Sequence, residues 1–527
     1  MKTITKYLIL FVLAGSFSIS CSDYLETQPT DRVAGPTIFQ DALAAKTAIN
    51  GVYGLFWRPT YVTANQTHGY GHESTLLAQD LMADDAVQMV FNWFGYDYDL
   101  SYTSRISIST SSRSYNVWNM LYTVISNTNY IIAEEGKIGG DLDLAKNVVA
   151  QAYAMRALCY FELIQGFQLT YIGNESKPGV PVYTEPTRAK DEGKPRGTVE
   201  DVYKLINSDI AHAIELFTEL KKPVQEHCSF VDYYVAKGFQ ARIALVQGRW
   251  QEAYDAAAEA RSRKGGIPLL KGNEILTGFS DKSLASNIWV MEMLPDQSQI
   301  YGSIFCFLDP RTASAYGSSN RKCISKWLYD KIANPAFVDN RVNWFKNGSY
   351  SATVVSGENV NYGQMKRMAR VLANWVGDII FMRAEEMLLI QAEAKARLGD
   401  YTAARALLND LANVRLNTAA GRDAYKEYLN NLANAATLPA LTNTDPTNVL
   451  EEVILQRRIE MWGELGRVKD ILRLKQGFTR DYPGSNHVEK LVGINTNAQS
   501  GAFLFKIPQT EFDGNPNIKS DEQNPTN

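Results

Sequence analysis

Six of the twelve residues from Phe91 to Tyr102 are aromatic (Phe91, Trp93, Phe94, Tyr96, Tyr98 and Tyr102), and Asn92, Asp97 and Asp99 are interleaved with them. Sugar rings present C–H faces that stack on flat aromatic rings, while their hydroxyls need carboxylate or amide partners. Asn92, Trp93, Tyr96, Asp97 and Tyr98 are therefore candidate ligand contacts. An alternating strand would set Trp93 on one side and Phe94, Tyr96 and Tyr98 on the other. The competing reading is that these rings anchor a loop or touch a partner protein. A second aromatic surface runs over 296–330, where Tyr301, Arg311, Tyr316 and Trp327 lie; Arg311 and Tyr316 are its candidate ligand contacts. The alternative there is a small self-packed core.

Other constellations carry less. Arg457, Glu460, Glu464, Arg467 and Asp470 follow steps of three and four, one stripe of a helix. Glu460 and Glu464 have the spacing of an acid–base pair, but each has an arginine within reach, and an ion-paired structural seam is the better reading. His68 and His72, followed by Glu73, are four apart, yet Gly69 and Gly71 between them disfavour a metal-binding helix. Asp84 and Asp85 sit at a helix end, and Asp97 and Asp99 flank Tyr98. A calcium ion on the latter pair is possible, although the EF-hand Gly and distal Glu are missing, and solvated loop carboxylates are expected. Nucleophile-elbow, phosphate-loop, dinucleotide and zincin signatures are absent. No catalytic residue, metal ligand or resident cofactor is assigned.

The first twenty residues read as an address. Lys2 and Lys6 precede an apolar run from Tyr7 to Ala14, too short to span a bilayer, which leads into Ser18-Ile19-Ser20-Cys21. Small residues before a lone cysteine are similar to a bacterial lipoprotein cleavage site, which would make Cys21 an acylated N-terminus held on a membrane; the alternative is an ordinary secreted protein with a stray cysteine. Of the other cysteines, Cys159 reads as a small core residue, and Cys306 and Cys323 could form one local bridge. The net charge is −4, and removing Lys2 and Lys6 makes it more negative, so nucleic acid is not an expected partner. Hydrophobic residues at 45% and charged residues at 21% indicate a folded chain, and 527 residues exceed what one core usually organises.

The elements that must position these residues read as helices. Helical periodicity predicts 41–57, 72–83, 114–135, 142–168, 198–218, 230–247, 250–262, 378–398, 402–415 and 449–475, with irregular stretches at 84–113, 169–197, 264–376 and 416–446. Two helix pairs are related by a shift of 151: Ala241, Gly248, Trp250 and Ala253 against Ala392, Gly399, Tyr401 and Ala404. Small residues for close approach, a turning glycine and a wedging aromatic are the logic of a tetratricopeptide (TPR) hairpin. A third hairpin is expected over 142–218. The fold class is all-α: an interrupted solenoid of TPR-like hairpins carrying long irregular insertions.

Several landmarks resemble the SusD/RagB family of outer-membrane nutrient-binding lipoproteins. They are Cys21-Ser-Asp-Tyr-Leu-Glu26, Gln151 to Phe161, Arg383 to Ala394 with Leu398-Gly-Asp400, Gln456-Arg-Arg-Ile-Glu460 with Glu464, Arg467, Asp470 and Arg473, and Ile507-Pro-Gln-Thr-Glu511 before Asn515-Pro516. Asp339 and Arg341 resemble a common Asp-x-Arg element with a structural role. The resemblance implies a non-catalytic surface lipoprotein that binds an oligosaccharide, or in some members a peptide, and passes it to a SusC-like TonB-dependent transporter. The implied organisation is a signal peptide at 1–20, a lipidated tether at 21–37, and a helical region at 38–263 bearing the aromatic loop 84–113. The insertion 264–376 and a C-terminal region 377–527 complete it. A helical scaffold that assembles proteins is the rival class.

Overall fold

In the computed structural model, residues 39, 41–57, 71–88, 112–188, 190–298, 300–311, 316–346, 362–488, 498 and 500–525 are described. The signal peptide, Cys21 and the tether lie outside them, as do His68 and the segment 89–111 that holds Asn92, Trp93, Tyr96, Asp97, Tyr98 and Asp99.

The helices of the first half are α1 Ala42–Trp57, α2 His72–Leu81, α3 Ser112–Ile132, α4 Leu142–Phe167, α5 Val199–Glu219, α6 Tyr233–Val246 and α7 Trp250–Arg261. Side-chain caps begin several of them: Asp141 accepts from Asp143 N and Leu144 N, Thr198 and Asp201 form a capping box, and Asp232 accepts from Val235 N. After the short α8 Ile304–Leu308, α9 Tyr316–Ser319 and α10 Lys326–Ile332 come α11 Ala384–Arg397, α12 Tyr401–Arg415, α13 Ala419–Asn431, α14 Val449–Glu460, α15 Arg467–Leu474 and α16 Gln509–Gly514.

Consecutive helices pack as antiparallel pairs, α4 with α5, α6 with α7 and α11 with α12, and α7 lies against α11. The hairpin resemblance thus becomes contact: the two related pairs stack on each other. Alanines at 241, 244, 253, 257, 392, 394 and 404 are fully buried, which brings the helix axes close. Gly248 and Gly399 turn the two pairs with φ of +72° and +82°, a left-handed conformation that L-residues resist.

Three expected features differ. Residues Ile379–Arg383 form a strand, β8, instead of opening the expected helix 378–398. The β-favouring Ile-Ile-Phe run is buried and pairs antiparallel with Asn287–Met291 (β4), while the Asp378 carboxylate accepts from Lys282 N and Met293 N at 2.8 and 2.9 Å. The single helix expected over 449–475 is two, α14 and α15, separated by a turn over 461–466 in which Gly463 and Gly466 are left-handed (φ +74° and +75°). The stretch 416–446, expected to be irregular, contains α13, capped by Thr418 through Gly421 N.

A four-stranded sheet has the order β1 Ala86–Gln88, β5 Lys322–Ile324, β7 Gly363–Gln364 and β6 Phe345–Lys346. Its β1 pairs with β5 of the insertion, with Gln88 opposite Lys322. The C-terminal stretch lies back on α4: Phe505 N donates to Gly166 O (2.9 Å), and Asn524 Nδ2 donates to Phe167 O and Phe505 O (2.8 Å). Among the described residues no helix is long and apolar enough to cross a membrane. Cys306 and Cys323 are buried free thiols, so the bridge between them is not formed.

Candidate functional site

The insertion holds a cluster of rings in which Tyr301 is exposed and Tyr316, Trp375 and Phe307 are buried. Tyr301 is 43% exposed and stacks on Tyr316, with centroids 5.4 Å apart and planes 28° from parallel. Trp375 supports the same ring from 5.6 Å, and Phe307 backs Tyr316 from 5.1 Å. Two tight turns carry them. The first is Ile300–Gly302, where Ile300 has φ +51°; the second is Ala373–Trp375, where Asn374 and Trp375 have φ +61° and +49°. Non-glycine residues in the left-handed region are strained, and such strain concentrates where structure serves a ligand.

Hydrogen bonds hold the turns together. Ser298 Oγ donates to Asn374 O (2.5 Å), Ser303 Oγ donates to Trp375 O (2.8 Å), and Val371 and Val376 close the second turn by reciprocal backbone bonds of 2.9 and 3.0 Å. Ile300, Val371 and Leu372 are exposed on the same two turns. The result is a flat aromatic platform with an aliphatic edge, presented on a braced frame.

Of the expected contacts here, Tyr316 is buried beneath Tyr301 rather than open. Gly317 lets its short helix approach closely, since a Cβ there would lie 2.7 Å from Asp309 O. Arg311 is half-buried; its guanidinium grips the Asp309 carboxylate (2.7 Å) and donates to Ala369 O (2.6 Å). Asp309 also accepts from Ala369 N at 2.9 Å, so Arg311 ties the strip 309–311 to the loop ahead of Trp375. Tyr301 belongs to the aromatic surface expected over 296–330, whereas Trp375 was not singled out in the sequence. The left-handed tolerance of Asn374 beside a tryptophan is the signal it carried.

The stripe of charged residues forms a buried ionic seam. Arg383 on β8 meets Glu460 at 2.8 Å and Glu464 at 2.8 Å, Arg415 meets Glu460 at 2.7 Å and Glu385 at 3.1 Å, and Lys366 binds Glu464. Arg341, itself clasped by Asp339 at 2.6 Å, reaches Glu460 at 3.2 Å. Burial raises the Glu464 pKa, but Arg383 and Lys366 outweigh it and leave the carboxyl at about 2. Burial likewise opposes ionisation of Glu460, and Arg415 and Arg383 hold it well below the usual carboxylate range. Both carboxylates are buried and ion-paired, as the reading of a structural seam expects. Burial brings the Lys366 ammonium down to about 8 despite Glu464.

A second branch of the seam takes in Asp84 and Asp85, the pair expected at a helix end. Asp84 and Asp85 are buried; Arg458 binds both, at 2.9 and 2.6 Å, and Arg467 binds them at 3.2 and 2.9 Å. Trp462 Nε1 donates to Asp85 O (2.9 Å) and Ser325 N donates to the same carbonyl (2.9 Å). These two aspartates immediately precede β1, so the seam pins the start of that strand. His72 and Glu73 do not converge on a metal: His72 pairs with Glu162 (3.3 Å) and Glu73 with Arg367 (2.7 Å).

An α-helical-hairpin body with an aromatic platform on an inserted frame is the class that fold and site define. The family described as "Starch-binding associating with outer membrane" matches residues 40–245, and the SusD family matches residues 324–526. The chain belongs to the SusD/RagB family. It is 22% identical to SusD-like protein P2 of Formosa agariphila, across 97% of this chain and 98% of that one, and 21% identical to SusD-like protein P38 of the same organism, across 90% and 92%. Among solved structures it shares its fold with a SusD-like carbohydrate binding protein from Bacteroides vulgatus (TM-score 0.72, 24% identity, 92% and 98% coverage). A laminarin binding SusD-like protein aligns with a TM-score of 0.65, at 19% identity over 93% and 100%.

Proposed function

We propose that this protein binds an oligosaccharide at the cell surface and delivers it, unmodified, to a SusC-like TonB-dependent transporter. The observation that carries the reading is the exposed Tyr301 ring, stacked on Tyr316 and backed by Trp375. Such a platform offers a C–H-stacking face, with polar groups supplied by neighbouring loops. The relative that binds laminarin has the same fold, which supports glycan as the ligand class. The segment holding Asn92, Trp93, Tyr96, Asp97 and Tyr98 follows β1 in sequence, and in this reading its rings and polar groups complete the site. Acyl chains on Cys21 would hold the body at the outer membrane, and the tether 22–37 would let it swing over the transporter. A ligand touching both proteins would favour closure only through its differential affinity for the closed state.

The aliphatic edge at Ile300, Val371 and Leu372 gives a specific second reading, a peptide ligand. Calorimetric titration with laminarin, malto-oligosaccharides and short peptides decides between them. Saturable glycan binding that Tyr301→Ala and Trp93→Ala weaken supports the first, and peptide binding without glycan binding replaces it. Fatty-acid labelling that persists in Cys21→Ser would remove the proposed anchor, and failure to co-purify a TonB-dependent barrel would remove the delivery step.

A further inference from the structure

We infer that His227, Cys228 and Glu292 form a zinc-type divalent metal site that shares no residue with the platform and is independent of the ligand it takes. The imidazole nitrogen, thiol sulfur and carboxylate oxygen all lie within 4.8 Å of one another. His227 Nε2 stands 2.8 Å from Glu292 Oε2, and Lys282 Nζ holds Glu292 Oε1 at 2.5 Å. His227 is 46% exposed at its side chain, while Cys228 and Glu292 are half-buried, so a metal can enter from solvent and keep a water in its remaining position.

The backbone that carries the three donors is fixed before any ion arrives. Val290 N donates to Cys228 O (3.2 Å), the Trp289 indole donates to Ser229 O (2.9 Å), and Glu292 N donates to Ser229 Oγ (3.0 Å). Trp289 is among the most deeply buried side chains, and its strand β4 pairs with β8, so this loop is stapled to the core. Pre-set donors lower the ordering cost of binding. One nitrogen, one sulfur and one oxygen make a set that Zn²⁺ accepts, whereas Ca²⁺ and Mg²⁺ favour all-oxygen shells.

Binding balances simply. The Ser229 N–H directed at His227 Nδ1 (3.3 Å) places the imidazole proton on Nε2. On metallation that proton moves to Nδ1, at the cost of the long Ser229 contact, and Nε2 gives its lone pair to the ion. Cys228 releases its thiol proton to solvent and ligates as thiolate. Glu292 turns Oε2 from the imidazole to the ion, while Oε1 keeps Lys282 as an outer partner that orients the carboxylate. One proton is released per ion bound.

The test uses the full chain and Co²⁺ as a spectroscopic stand-in for Zn²⁺. The expected result is a near-ultraviolet thiolate-to-cobalt charge-transfer band that saturates at one equivalent, is bleached by Zn²⁺, and disappears in Cys228→Ser. His227→Ala, a change at an exposed side chain that leaves the fold intact, weakens the apparent affinity at least tenfold. Absence of the band, its persistence in Cys228→Ser, or unchanged affinity in His227→Ala overturns the proposal.

Discussion

Arg458 and Asp85, 373 residues apart in sequence, form a buried bidentate ion pair in which the guanidinium donates to both carboxylate oxygens at 2.6–3.1 Å. Arg458 also reaches Asp84 and donates to Thr442 O, so one side chain of α14 gathers the end of the N-terminal helices and the loop ahead of α14. Removing one partner of such a pair strands the other charge without water. Arg458→Met is therefore expected to cost about 3–5 kcal/mol, read as a lower urea midpoint. Arg458→Lys should recover less than half of the loss, because a lysine cannot make the two-pronged contact.

Glu464 predicts a specific acid limb. Its folded pKa of about 2 lies below the ordinary 4.5, so its stabilising contribution is complete above pH 4.5 and is lost as pH falls towards 2. A depression of that size corresponds to about 3 kcal/mol between the two protonation states. Glu464→Gln should flatten that part of the stability profile while lowering stability at pH 7, measured by chemical denaturation across pH. Loss of acid dependence without loss at neutral pH would contradict the pairing with Arg383 and Lys366.

Asp80 has the opposite sign. Burial raises its pKa from 3.8 to about 7, only partly offset by the Arg467 N–H that bonds one oxygen at 2.8 Å; among the described residues its other oxygen has no hydrogen-bond partner. The folded state thus binds the proton more tightly than the unfolded chain, and this group's effect on stability worsens as pH rises from about 4 to about 7. Asp80→Asn should remove that decline, gaining up to about 4 kcal/mol at pH 8 relative to its effect at pH 4. Parallel pH profiles for parent and variant would refute it.

The two stacked tyrosines should separate binding from folding. Tyr301→Ala, at an exposed ring, should change stability by less than about 1 kcal/mol yet weaken ligand binding about tenfold. Tyr316→Ala removes a buried ring and should cost about 3 kcal/mol in stability as well. Titration calorimetry and thermal melts on both variants check the contrast; equal melting losses would place Tyr301 in the core instead.

Much of the helical body could be read from the chain, because caps, alanine faces and turning glycines act within a few residues of one another. Asp141, Thr198 and Asp232 begin helices where their side chains reach the next backbone amides, and Gly248 and Gly399 turn the pairs they separate. The stripe Glu460, Glu464, Arg467 and Asp470 was legible as a charged seam, but the break over 461–466 was not. Steps of three and four look the same whether a helix continues or restarts.

Local spacing settled that this is a chain of α-helical hairpins with aromatic-rich insertions, since helix formation and capping depend on neighbours in sequence. Which charges meet was decided only by the tertiary fold. Asp84 and Asp85 read only as carboxylates at a helix end, and their partners Arg458 and Arg467 come from the far end of the chain. Trp375 likewise gained a role only when Ser298 and Ser303 bound its loop beside Tyr301. The reason is physical: a buried charge or an exposed ring takes its energy from whatever surrounds it in space, and sequence distance carries no information about that.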